Sequence, residues 1–170
     1  VAPTDFVPLQ KLTYLELSEN QISSISQKTF LPLKNLVTLK LNGNKLGNSP
    51  GSLKTIAECI NLRDLDLKSN LIKGSLNSNM LPVLKELEVL DLAKNSFSSV
   101  QRGTFSNYPK LQTLTLRNNQ IDVLADDAFL GLNSLQKLDL SYNGIVAVSE
   151  GSLKHMNRLT VLDFTHNFLR

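Results

Sequence analysis

At 170 residues the chain has the length of one ordinary domain, with 41% apolar and 19% charged residues. Eighteen basic against fifteen acidic residues give a formal charge of +3, too slight a bias to demand an anionic partner. No stretch approaches the roughly 18 consecutive apolar residues of a membrane span, and a single cysteine excludes an internal disulfide.

In chain order, Val1 to Leu9 (VAPTDFVPL) matches Ile25 to Leu33 (ISQKTFLPL), the second half of a longer unit. From Leu12 onward one pattern recurs: apolar residues at the first, fourth, sixth and eleventh places, and asparagine at the ninth. Its clearest copy is Leu111 to Ile121, LQTLTLRNNQI. Units begin at Leu12, Leu36, Leu62, Leu87, Leu111, Leu135 and Leu159, at spacings of 24, 26, 25, 24, 24 and 24 residues. A repeat array is the expectation, in which each unit packs only on its neighbours. Residues 1–11 read as a partial repeat, 12–158 as six full repeats and 159–170 as a further partial one, an excerpt of a longer array.

Each unit opens with a short strand. Side chains alternate across a strand, so the two leucines point inward and the residues between them outward. Stacked units align the strands into one parallel sheet. The inward columns run Leu15, Leu39, Leu65, Leu90, Leu114, Leu138, Leu162 and Leu17, Leu41, Leu67, Leu92, Leu116, Leu140, Phe164. The asparagine column is Asn20, Asn44, Asn70, Asn95, Asn119, Asn143 and Asn167. Asparagine offers donor and acceptor on a short arm, suited to backbone groups of its own turn and of the neighbouring one.

The outer half of each unit carries a second apolar pair, with Phe6, Phe30, Phe105 and Phe129 forming an aromatic spine. About ten residues separate strand exit from that pair, which predicts short turns or 3₁₀ segments on the convex side. The second and third units lack the apolar residue held elsewhere by Ile25, Val100, Leu124 and Val148. In its place stand GNSPGS (47–52) and KGSLNSN (73–79), rich in turn formers. Two adjacent bulged loops on one flank are expected there.

Chemistry has no candidate. Cys59 falls on an apolar core position, which suits an inert thiol. His155 and His166 lack cysteine or acidic partners at metal-ligand spacing. No phosphate-cradling glycine loop or nucleophile elbow occurs. The sequence therefore reads as no enzyme, without cofactor or metal.

The outward positions of the sheet are the candidate binding surface. The partner-binding residues singled out are Tyr14, Asp64, Asp66, Lys68, Glu88, Asp91, Lys94, Thr115, Arg117, Lys137, Asp139 and Tyr142. The face mixes charges with a slight acidic excess and the back is more basic, which suits a protein partner and opposes nucleic acid. Asp64, Asp66, Glu88 and Asp91 form an acidic cluster beside the two irregular units. Tyr14 and Tyr142 are the aromatic anchors.

The period with its phenylalanine spine resembles the "typical" class of leucine-rich repeats, and LQTLTLRNNQIDVLADDAFLGLNS (111–134) follows that class's form. The chain is similar to animal extracellular proteins of this type: Toll and Toll-like receptors, and LRIG-like and chaoptin-like cell-surface proteins. The resemblance implies an α/β leucine-rich repeat solenoid, a curved horseshoe with its parallel sheet on the concave face. It also implies a cell-surface or secreted receptor or adhesion ectodomain, with roles in innate immunity or signalling, that binds a protein ligand or a second copy of itself. A structural spacer within a longer solenoid and an intracellular repeat adaptor remain as alternatives.

Overall fold

The inward leucines do what their spacing requires in the computed structural model, which describes residues 1–170. Ten strands follow in chain order: β1 Tyr14–Glu16, β2 Thr38–Lys40, β3 Asp64–Asp66, β4 Lys73–Leu76, β5 Val89–Asp91, β6 Ser96–Val100, β7 Thr113–Thr115, β8 Val123–Leu124, β9 Lys137–Asp139 and β10 Val161–Asp163. Seven of them form one parallel sheet in the order β1-β2-β3-β5-β7-β9-β10. Pairing is in register, leucine beside leucine: Leu15↔Leu39, Leu39↔Leu65, Leu65↔Leu90, Leu90↔Leu114, Leu114↔Leu138 and Leu138↔Leu162. The central leucines from Leu39 to Leu138 are fully buried, in one contiguous core running the length of the array.

Each strand is too short to stabilise itself, so the turn that follows it matters. The asparagine column closes that turn. Asn95 Nδ2 donates to the carbonyls of Leu92 in its own unit and Leu67 in the preceding one. Its Oδ1 accepts from the amides of Asn70 and Ile72 in that preceding unit. Asn44, Asn70, Asn119, Asn143 and Asn167 make the same kind of bridge. A buried polar side chain is tolerable only when so satisfied. Just before each asparagine the backbone turns left-handed, at Glu19, Gly43, Ser69, Lys94, Asn118, Tyr142 and His166.

The convex side holds turns and two 3₁₀ segments, Leu46–Asn48 and Pro50–Glu58. The phenylalanine spine is interrupted. Phe6 stacks on Phe30 and Phe105 on Phe129, each pair at 5.9 Å between ring centroids. Between the pairs, buried Ile56 and Leu81 take the same place.

The flank corrects the expectation of two bulged loops. Residues 47–52 lie in the two 3₁₀ segments and at Ser49, the bend that joins them, and the segments bury Leu46, Leu53 and Ile56. Residues 73–76 are β4, one edge of a second parallel sheet in the order β4-β6-β8. The apolar residue that the third unit seemed to lack is Leu76, fully buried, paired with Val100, which pairs in turn with Leu124. A register shift at Gly74/Ser75, with Gly74 at φ +98, lets the longer unit stay in line. Glycine tolerates that dihedral because it has no Cβ.

Candidate partner-binding face

The sheet brings the acidic cluster together as its register demands. Asp66 lies directly beside Asp91, and Asp64 beside Val89. Most of the cluster is already engaged. Lys40 Nζ bonds both oxygens of Asp64 at 2.8 and 2.9 Å, and Arg63 sits 3.4 Å from Glu88. Asp66 and Asp91 each accept the backbone amide two residues on, from Lys68 at 2.9 Å and Ala93 at 2.8 Å. Asp139 and Asp163 do the same with Ser141 and Thr165. Aspartate at this place therefore caps the turn leaving the strand, as short acidic side chains do.

The equivalent carboxylates titrate differently for a physical reason. Burial pushes Asp91 up from its ordinary value, with the adjacent Asp66 adding to the rise against the Ala93 amide. Asp163 is more open, and the amide and hydroxyl of Thr165 hold it low. Glu16 is held low by the Ser18 hydroxyl and then by the Tyr14 hydroxyl, which donates to it at 2.8 Å. The two proposed anchors are not brought together: Tyr14 lies on β1, tied to Glu16, while Tyr142 follows β9, with four strands between them in the sheet.

The later repeats look different. Lys68, Lys94 and Lys137 form no ion pair. Arg117 Nη1 donates to Ser141 Oγ at 2.9 Å, and Ser141 Oγ donates to Asp139 at 2.6 Å. The Arg117 guanidinium lies 4.3 Å from the centre of the Tyr142 ring. The His166 ring stacks on Tyr142 at 4.0 Å. Thr115, which does not cap its turn, sits between these groups and Asp91 on the same face. Sequence reasoning passed over Ser141, and it placed His166 at the flank of this face without counting it among the binding residues. The signal available for His166 was its place, one repeat on from Tyr142.

On the convex side, two cations and a histidine surround one carboxylate. Asp127 meets Arg102 at 3.3 Å, Lys154 at 3.0 Å and His155 at 2.8 Å, and these partners, His155 first, hold its pKa down to about 2. His155 thus has an acidic partner across one repeat, where local spacing offered none. Cys59 is fully buried and its thiol is pushed up to about 12 by that burial, so it is packing, not a nucleophile. No helix is long and apolar enough to cross a membrane.

Known proteins share this architecture. The family described as "Leucine rich repeat" matches residues 1–46, 60–121, 85–145 and 109–169. Keratocan of Mus musculus is 33% identical over 109 residues, 64% of this chain and 30% of keratocan. Transforming growth factor beta activator LRRC32 of Mus musculus is 34% identical over 105 residues, 59% of this chain and 15% of that protein. A crystal structure of a TLR13–ssRNA13 complex superposes with a TM-score of 0.86 at 31% identity, covering 95% of this chain and 22% of that one. The chain thus spans less than a third of the length of each of these relatives.

Proposed function

From the premise that the chain belongs to the leucine-rich repeat family, we propose that it is a protein-binding segment of a cell-surface or secreted receptor or adhesion ectodomain. The relatives keratocan, LRRC32 and TLR13 are extracellular or cell-surface proteins, and family members of this kind are binding modules rather than enzymes. The observation that carries the reading is the sheet itself: seven strands in register present one continuous face of exposed and half-buried side chains, mostly polar, with Val89 and Val161 among them. We place the contact on the third to fifth repeats, around Asp64, Asp66, Lys68, Glu88, Asp91, Lys94, Thr115 and Arg117, extending toward Lys137, Asp139 and Tyr142. Its neighbouring flank is the β4-β6-β8 sheet. We also place the segment, with its six full repeats over 12–158, inside a longer array.

The test is direct binding to immobilised secreted and cell-surface proteins, with Thr115→Trp as a block at the centre of the face. A partner whose affinity falls at least about tenfold, roughly 1.4 kcal/mol, supports the reading. Full affinity in the folded variant moves contact off the concave face and favours a spacer role. One observation favours a second reading, single-stranded RNA as ligand: the TLR13 neighbour was crystallised in a complex with ssRNA13. RNA binding would weaken steeply with salt as phosphate counterions are released, whereas the aspartate column opposes it.

A further inference from the structure

The left-handed residue in each turn is a demanding position. A Cβ there crowds the following carbonyl oxygen, so glycine and asparagine are the residues that tolerate it. Gly43 and Asn118 fit that preference and histidine, as at His166 (φ 57), visits it more than most residues, whereas Glu19, Ser69, Lys94 and Tyr142, at φ 53, 55, 52 and 56, do not. Every repeat takes this conformation at its turn, so the backbone alone marks no site; what sets the last two turns apart is that they carry aromatic rings.

Their arrangement is ordered. Arg117 covers one face of Tyr142 and His166 the other, and Arg117 is itself fixed through Ser141 to Asp139. With both faces covered, Tyr142 presents its ring edge, which carries partial positive charge, and a hydroxyl that no protein group engages; the residue is 39% exposed. Lys94 is exposed at the same turn position two repeats earlier and forms no ion pair. In the first three repeats Lys40 is taken by Asp64 and Arg63 by Glu88, which leaves Lys68 as the unpaired cation of that face.

We propose that Lys94, Arg117, Tyr142 and His166 form a cationic, aromatic ledge along the rim of the concave face that docks an acidic segment of a protein partner. The partner's carboxylates meet Lys94 and Arg117, and the Tyr142 hydroxyl donates to a carboxylate or carbonyl oxygen. This rests on the reading that the concave face binds a protein. It favours a peptide over RNA on two grounds. Asp139 and Asp163 border the ledge, and a phosphodiester chain, charged at every residue, cannot avoid them. The covered faces of Tyr142 also leave no room for base stacking on it.

The probe is a fluorescein-labelled peptide of alternating glutamate and glycine, compared by anisotropy at low salt with a lysine–glycine peptide and an oligouridine. The acidic peptide should bind, weakened at least about tenfold by Lys94→Ala with Arg117→Ala and several-fold by Tyr142→Phe. Tyr142→Asn should lower affinity while keeping or raising the melting temperature, because asparagine suits the turn. A lowered melting temperature with unchanged affinity overturns the proposal and makes the stack a structural brace. Preferential binding of oligouridine, lost in the same variants, overturns it in favour of RNA. Thr113→Trp and Thr115→Trp separate the two levels. If they abolish peptide binding and the ledge variants do not, the ledge falls and the concave-face reading stands. If neither set changes binding, both fall.

Discussion

The two halves of the array differ in what they leave open. From the first to the third repeat the sequence is irregular, with a 3₁₀ flank over 46–58, a broken phenylalanine spine and a concave face whose cations, Lys68 apart, pair with carboxylates. From the fourth repeat on, the pattern is regular, and Lys94, Arg117 and Lys137 have no carboxylate partner. Irregular sequence and acidic clustering draw the eye to the first half. Most of the free interaction capacity lies in the second.

The seam between the halves should give the largest effect. Leu76 is fully buried where β4 opens the second sheet, so Leu76→Ala should cost about 2–5 kcal/mol in urea unfolding through lost burial and the cavity left behind. A cost below about 1 kcal/mol would mean that the third repeat tolerates a slack flank, as the bulged-loop reading supposed.

Next comes the turn interior, which underlies both halves. Asn70 is fully buried and serves the Leu41, Leu67 and Lys68 carbonyls. Removing it strands buried groups, at about 1–3 kcal/mol. Asn20 bonds only Leu17 and Ser18 of its own unit and is exposed, so Asn20→Ala should cost well under that. Equal losses at the two sites would show that bridging between units adds nothing.

The aspartate pair offers a smaller, signed effect. Burial raises the Asp91 pKa in the folded state, so ionisation is penalised there more than in the unfolded chain. Stability is therefore undiminished in acid below the ordinary aspartate range, and is lost as pH rises through the raised pKa. Asp91→Asn keeps an oxygen for the Ala93 amide and removes the like charge beside Asp66. It should gain about 0.2–1 kcal/mol near neutral pH and nothing in acid, as read by melting temperature across pH. A neutral-pH loss would assign Asp91 an attractive partner that the structure does not contain.

The stacking was legible in the sequence because leucines at fixed places in seven units decide it, and the asparagine column followed from the chemistry of one amide. The second sheet was not. Of Lys73 to Leu76 only Leu76 is buried, and one apolar residue among turn formers carries no strand period. The pairing of Lys40 with Asp64 was hidden for another reason: it runs diagonally between different places of adjacent units, so no column displays it. The Arg117–Tyr142–His166 stack spans three units in the same way, and depends on left-handed turns that only backbone geometry reveals.

The smallest effect compares two lysines on one sheet. Lys40 on β2 holds Asp64, with their side chains 24% and 31% exposed. Burial opposes its charge, yet the bond and field of Asp64 outweigh that and leave its pKa raised. Lys137 on β9 faces the same way, is exposed and has no partner. A double-mutant cycle of Lys40→Met with Asp64→Asn should show coupling of up to about 1 kcal/mol, the range for partly exposed pairs. Lys137→Met should shift stability by no more than about 0.5 kcal/mol, as surface substitutions away from such features do. If Lys137 proved the costlier loss, the later half would hold a charge contact of its own, and its cations would no longer be free for a partner. If Lys40 showed no coupling, the pairing in the first half would be too weak to withhold those charges, and the contrast between the halves would rest on the Tyr142 stack alone.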